Sequence, residues 1–146
     1  MKSYIRNSII IILSIILLDQ LTKYLARLFL EFSEPKIIIE NIFHLTLKKN
    51  TGAAFSILQE NNFLLLIAGI IITIGLFYYL SQTEKTEVLP IAFIIGGAVG
   101  NLIDRAWHEG VIDFIQISIW PVFNIADMAI SIGVLLLVIT IIQKNK

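Results

Sequence analysis

Apolar residues in this chain gather into four long runs, residues 5–30, 63–80, 88–103 and 122–142. A helix needs about 20 residues to cross a hydrocarbon core of roughly 30 Å, so the pattern predicts four transmembrane helices. The third run is short, and Gly96, Gly97 and Gly100 fall inside it. Small residues let helices approach closely, which places this helix in the middle of a bundle. The link over residues 80–88 is brief and polar, making helices two and three antiparallel neighbours.

The two longer connections read differently. Residues 31–62 tolerate polar side chains, and within them 36–47 mixes Ile38, Ile42 and Phe43 with polar neighbours. That composition favours short strands on the membrane surface. Asn50-Thr51-Gly52 is a turn signal. Residues 107–121 are amphiphilic and again strand-like, with Trp107 and Trp120 suited to an interfacial belt. The expected fold is an integral-membrane, all-α bundle of four helices with a small extracytoplasmic β-rich cradle, built from residues 31–62 and 104–121. Neither an internal repeat nor a low-complexity linker interrupts the pattern, so residues 1–146 are expected to form one domain.

Composition supports lipid as the solvent. Of 146 residues, 57% are hydrophobic and only 15% charged, against about 25% charged in soluble domains. Eleven basic residues balance eleven acidic ones; no basic stripe invites nucleic acid. The absence of cysteine removes disulfides, thiolate nucleophiles and thiolate metal sites together. Lys2 and Arg6 before the apolar block of residues 9–18 imitate a secretory signal peptide. Asp19 and Gln20 then follow without a small-residue cleavage site and the apolar pattern resumes, so an uncleaved first helix is expected. Lysine and arginine counts barely discriminate orientation; Lys2, Arg6, Lys85, Lys144 and Lys146 favour cytoplasmic termini, and Lys36, Lys48, Lys49 and Arg105 fall opposite.

Candidate chemistry starts with Asp127, an acid in an otherwise apolar run shared only with Asn124. A carboxylate at mid-bilayer costs roughly 2.5–3.5 kcal/mol, which marks it as a functional candidate. At 1.5 Å per residue it would lie about 7–8 Å below Val122, near an interface, on the same helix face as Asn124. Asp113 precedes it in a polar stretch. Two such acids can share a water and a single proton, one activating the water and the other polarising a carbonyl. A proton relay or plain structural hydrogen bonding fits the same spacing. Asp19 and Lys23 are four residues apart, a spacing that suits an ion-paired clamp with Lys23 snorkelling outward. Asn101, Asp104 and Arg105 can all point one way at the end of helix three, Arg105 neutralising Asp104 or Asp113 or holding a peptide carbonyl. His44 and His108 lack zinc-ligand spacing, and Ser14, Ser56 and Ser131 more simply bond to their own helix backbone.

Five blocks of residues carry a resemblance. They are Asp19-Gln20-Leu21-Thr22-Lys23, then Asn50-Thr51-Gly52-Ala53-Ala54-Phe55-Ser56, then Gly97 through Arg105, then Val111-Ile112-Asp113-Phe114, and finally Phe123-Asn124-Ile125-Ala126-Asp127. In this order the chain resembles the bacterial lipoprotein signal peptidases, the signal peptidase II family. The resemblance implies an aspartic endopeptidase with Asp113 and Asp127 as its dyad. It implies that Asn50, Gly52, Asn101, Arg105 and Asn124 hold or shape the substrate, with Asp19, Lys23 and Asp104 as support. The implied substrate is a prolipoprotein carrying diacylglycerol on its lipobox cysteine, cut just before that cysteine. No metal or organic cofactor is implied; membrane lipid and globomycin-type peptide inhibitors are the further ligands, and a monomer is expected. The implied location is the bacterial cytoplasmic (inner) membrane. Two departures stand out: the link from Asp113 to Asp127 is shorter than usual, and Gly110 stands one place later after Arg105.

Overall fold

Each apolar run folds into a helix, and the polar connections supply the strands. The computed structural model describes residues 3–52 and 61–145. In chain order they form α1 (Ser3–Phe29), β1 (Lys36–Ile39), β2 (Phe43–Asn50), α2 (Asn62–Gln82), α3 (Lys85–His108), β3 (Val111–Ile117) and α4 (Ile125–Lys144). All four helices are long and apolar enough to span a membrane. In the apolar window of α3 half the residues are buried, against 22% or less in the other three. The glycine-bearing helix is therefore the central one, packed by α1, α2 and α4. A Cβ on Gly97 would collide with the Ala126 carbonyl oxygen, and one on Gly100 would stand 2.6 Å from the Asp19 carboxylate. Small residues here bring α4 and an acidic side chain of α1 against the α3 backbone.

The helix ends shift from the sequence expectation, α3 already beginning at Lys85, and two of the shifts bear on the site. Helix α3 runs on past residue 103 to His108, so Trp107 sits on its last turn rather than in a strand. The polar residues between 101 and 105 find partners on neighbouring elements, which lets the helix continue through them. Glu109 ends it in the left-handed conformation, at φ 53°. Glycine usually fills that position. Here the glycine comes next, because a Cβ on Gly110 would stand 3.1 Å from the Asn50 carbonyl oxygen and from Lys49. Helix α4 begins at Ile125 rather than 122: Phe123 is held in an antiparallel bridge to Ile115, and Asn124 caps the helix.

The three strands form one antiparallel sheet in the order β1-β2-β3. Register places Lys48 opposite Asp113 and Asn50 opposite Val111, across a bulge that follows Leu45. Leu47, Ile112 and Phe114 turn inward onto Ala26 of α1 and form a small apolar core. That packing fixes β3, and with it Asp113, over the ends of α1 and α3.

Candidate active site

Beneath the sheet a wholly buried lysine is held between two acids. Lys23 Nζ lies 2.9 Å from Asp19 Oδ2 and 2.9 Å from Asp104 Oδ2, and all three side chains are wholly buried. The expected outward snorkelling of Lys23 does not occur. The ion pair expected from i,i+4 spacing is present, but a third member on α3 draws the ammonium inward. Gln20 closes the cluster, donating to Asp19, to Asp104 and to the Gly100 carbonyl. Each acid also accepts a backbone N–H, Asp19 from Ala126 at 2.9 Å and Asp104 from Ile112 at 2.9 Å. The cluster therefore ties α1 to the first turn of α4 and α3 to β3.

Above it lies a layer of three asparagines. Lys23 donates to Asn101 Oδ1, which fixes that amide and turns its nitrogen to Asp127 Oδ1 at 2.8 Å. Asn124 Nδ2 reaches Asp113 Oδ1 at 2.7 Å, and its backbone N–H reaches Asp127 Oδ2 at 3.3 Å. Asn50 Nδ2 donates to Asp113 Oδ2 at 3.1 Å. Asn124 and Asp127 form a reciprocal capping box, the Asn124 side chain accepting from the Asp127 N–H. Asp127 is thus in the first turn of α4, shallower than a helix start at 122 had implied. An acid there also meets the positive end of the helix dipole.

Arg105 departs from its neighbour. Its guanidinium donates to the Gly52 carbonyl at 2.7 Å and to Asn62 Oδ1 at 3.2 Å, whereas Asp104 is committed to Lys23. Asn101, Asp104 and Arg105 therefore do not all point one way: Asp104 faces inward and Arg105 faces the sheet. Of the three partners foreseen for Arg105, Asp104, Asp113 or a peptide carbonyl, the hydrogen bond goes to a peptide carbonyl, and Asp113 acts on it through its charge. Gly52 donates its N–H to Asn50 Oδ1, closing the turn that the sequence marks. Ser56 lies outside the described residues.

These groups converge on a cleft of about 450 Å³, lined by Asn50, Asn101, Arg105, Asp113 and Asp127 with an apolar wall that includes Trp120 and Phe123. Asp113 is 3% exposed. Burial, and secondarily the Asp127 charge, push its carboxyl from an ordinary 3.8 up to about 7, against the opposing pull of the Asn50 and Asn124 amides. Between those two values the folded protein holds a proton that the unfolded chain releases. The group's contribution to stability is therefore full below about pH 4 and is lost as pH rises through about 7. We expect Asp113→Asn to remove about one proton's worth of slope from the dependence of thermal midpoint on pH over that window. An unaltered slope would contradict the assignment. Among the described residues no group of three or more His, Asp or Glu is placed to hold a metal ion.

Paired carboxylates in a half-apolar cleft, at the sheet-covered end of a four-helix membrane bundle, are the groups that an intramembrane hydrolase of the aspartic type requires. The family model for signal peptidase (SPase) II matches residues 11–143. The chain belongs to that family, the A8 peptidases. It is 40% identical over 139 residues to a lipoprotein signal peptidase of Halothermothrix orenii, covering 94% of this chain and 96% of that protein. It is 41% identical over 137 residues to one of Brevibacillus brevis, covering 90% and 92%. Two bacterial membrane enzymes solved by the in meso method superpose on it, one with a TM-score of 0.89 at 32% identity over 96% of this chain and 90% of that one. The other gives 0.84 at 33% identity over 92% of each.

Sequence reasoning missed two members of the site. Gln20 stands in an apolar helix beside Asp19, and a carboxamide there was itself a signal that buried partners exist. Asn62 begins α2, whereas the sequence places it as the last residue of the connection 31–62; nothing local announces its contact with Arg105, 43 positions away.

Proposed function

We propose that this membrane peptidase removes the signal peptide from diacylglyceryl-modified prolipoproteins, cutting just before the lipidated cysteine, with Asp113 and Asp127 as its catalytic dyad. The observation that carries the reading is Asn124, one residue in hydrogen-bond contact with both carboxylates. It makes the two carboxylates neighbours. Two acids so placed hold one proton between them. Burial and the neighbouring charge favour the protonated form of Asp113; in this reading the pair shares its proton and Asp127 acts as the base. Asp127 takes a proton from a water held between the two, while the Asp113 carboxyl polarises the scissile carbonyl. As the water oxygen bonds to the carbonyl carbon, Asp113 passes its proton to the carbonyl oxygen, giving a neutral tetrahedral diol. Its collapse breaks the C–N bond and returns a hydroxyl proton to Asp113, and the departing amine takes the proton that Asp127 had gained.

The remaining groups fit a peptide laid along the cleft. Asn101 and Asn124 set the carboxylates, and Asn50, Gly52 and Arg105 shape the turn that faces them. Asp19, Lys23 and Asp104 are the support beneath. The apolar wall at Trp120 and Phe123 suits a substrate that bears lipid and arrives from the bilayer. The chain is taken to act as a monomer and to form one domain. Four spans put both termini on one side of the membrane, opposite the sheet. We assign the termini to the cytoplasm and the cleft to the outer face of the bacterial inner membrane, where a translocated precursor presents its lipidated cysteine.

The test is cleavage by purified protein of a diacylglyceryl precursor and of the same precursor without lipid. Release of the signal peptide only from the lipidated form, blocked by globomycin, is expected. Equal cutting of both forms, or cutting insensitive to globomycin, contradicts the substrate assignment.

A further inference from the structure

We propose that Asn62 is a positioning residue for peptide cleavage: it holds the Arg105 guanidinium on the Gly52 carbonyl and so keeps Asn50 against Asp113. The inference rests on the reading of Asp113 as half of the catalytic pair.

The contacts form one continuous path. Asn62 Oδ1 accepts from Arg105 Nη1 at 3.2 Å, and Arg105 Nη2 donates to the Gly52 carbonyl at 2.7 Å. Gly52 N–H donates to Asn50 Oδ1 at 3.0 Å, and Asn50 Nδ2 donates to Asp113 Oδ2 at 3.1 Å. No step has an alternative polarity. A guanidinium only donates and a backbone carbonyl only accepts, so each amide is fixed in one orientation. Asn62 Nδ2, for its part, donates at 3.0 Å to the Arg105 carbonyl. That carbonyl is among the last four of α3, which lack acceptors' partners within the helix. Asn62 thus grips Arg105 at both ends, by its main chain and by its guanidinium.

Asn62 does this from outside the cleft. It lines a separate hollow with Lys49, Thr51, Phe63 and Leu66, and Arg105 alone of the pair borders both spaces. Its influence on substrate must pass through Arg105. The arginine carries a long, freely rotating stem, and a planar fork is useful only when aimed. Gly52 cannot supply the aim, because its carbonyl accepts from one nitrogen of the fork and leaves rotation about that bond open. The second contact, to Asn62, removes that freedom.

The two grips can be separated chemically. Asn62→Asp keeps the acceptor for the guanidinium and loses the donor to the Arg105 carbonyl; Asn62→Ala loses both. In full-length purified enzyme with a diacylglyceryl precursor, Asn62→Ala is expected to lower kcat roughly ten- to a hundredfold, the range that a small misplacement of an active-site group produces. KM should stay within about twofold and the thermal midpoint close to that of wild type, because the interaction lost acts on geometry rather than on binding. Asn62→Asp should restore kcat to within about threefold of wild type.

Side-chain ¹⁵N relaxation of Arg105 gives a readout that does not depend on turnover. The guanidinium should become mobile in Asn62→Ala and remain ordered in Asn62→Asp. Equal loss of activity in the two variants, a loss confined to KM, a collapse of the fold, or an Arg105 still ordered in Asn62→Ala would each overturn the proposal. A wild-type enzyme that does not cut the lipidated precursor would instead refute the substrate reading, and the relaxation experiment would still decide the role of Asn62.

Discussion

Asp113→Asn and Asp127→Asn should each abolish cleavage of a diacylglyceryl precursor, with turnover falling by roughly three orders of magnitude or more while the protein still folds and inserts. The size follows from the chemistry: groups that act as a unit lose nearly the whole rate when one is removed. An amide in place of Asp127 cannot take a proton from water, and one in place of Asp113 cannot share the proton that the pair requires. The fold is expected to survive, because the Asn124 side chain still accepts the N–H of residue 127. Only the reverse bond of the capping box weakens, and losing a cap costs about 0.5–2 kcal/mol. Purified variants assayed by single-turnover cleavage give the answer. Retention of more than about a tenth of wild-type turnover by either one would remove that residue from the dyad.

Lys23→Met should produce the largest loss of stability. The ammonium is wholly buried between Asp19 and Asp104, each 2.9 Å away. Removing one member of such a group leaves uncompensated charge in the interior, at a cost of about 3–5 kcal/mol. For a chain of this size that corresponds to a drop in thermal midpoint on the order of 10 °C. A second substitution makes the cause visible. Lys23→Met combined with Asp104→Asn keeps the formal charge of the cluster at its original value, and should recover a large part of the loss. A single variant that melts with wild type would show that lipid or water, not the protein, balances the acids.

Much of this architecture is legible along the chain, and the parts that are not share a physical cause. The helices announce themselves because lipid requires about 20 apolar residues whatever their neighbours are. Gly96, Gly97 and Gly100 likewise mark the central helix, since only a close approach gives small residues an advantage there. Asp113 and Asp127 stand out as acids in apolar company. What the sequence does not convey is direction. Asp104 and Arg105 are adjacent, yet one faces Lys23 and the other Gly52; their separation depends on α1 and β2, which local spacing does not contain. The start of α4 shifts for the same reason. Val122 and Phe123 are apolar enough to belong to a helix, but the bridge between Phe123 and Ile115 holds the chain there and leaves Asn124 to cap it. Lys23 gives the clearest case. Its stem can reach an interface, and only the second acid on another helix explains why it turns inward.

The bond from the Ala126 N–H to Asp19 joins residues 107 positions apart. It links the first of the four described helices to the fourth. Until α4 emerges and docks, Asp127 has neither its cap nor its neighbour Asn101, and Asp113 lacks Asn124. A growing or half-inserted chain consequently carries the two acids apart and unarmed.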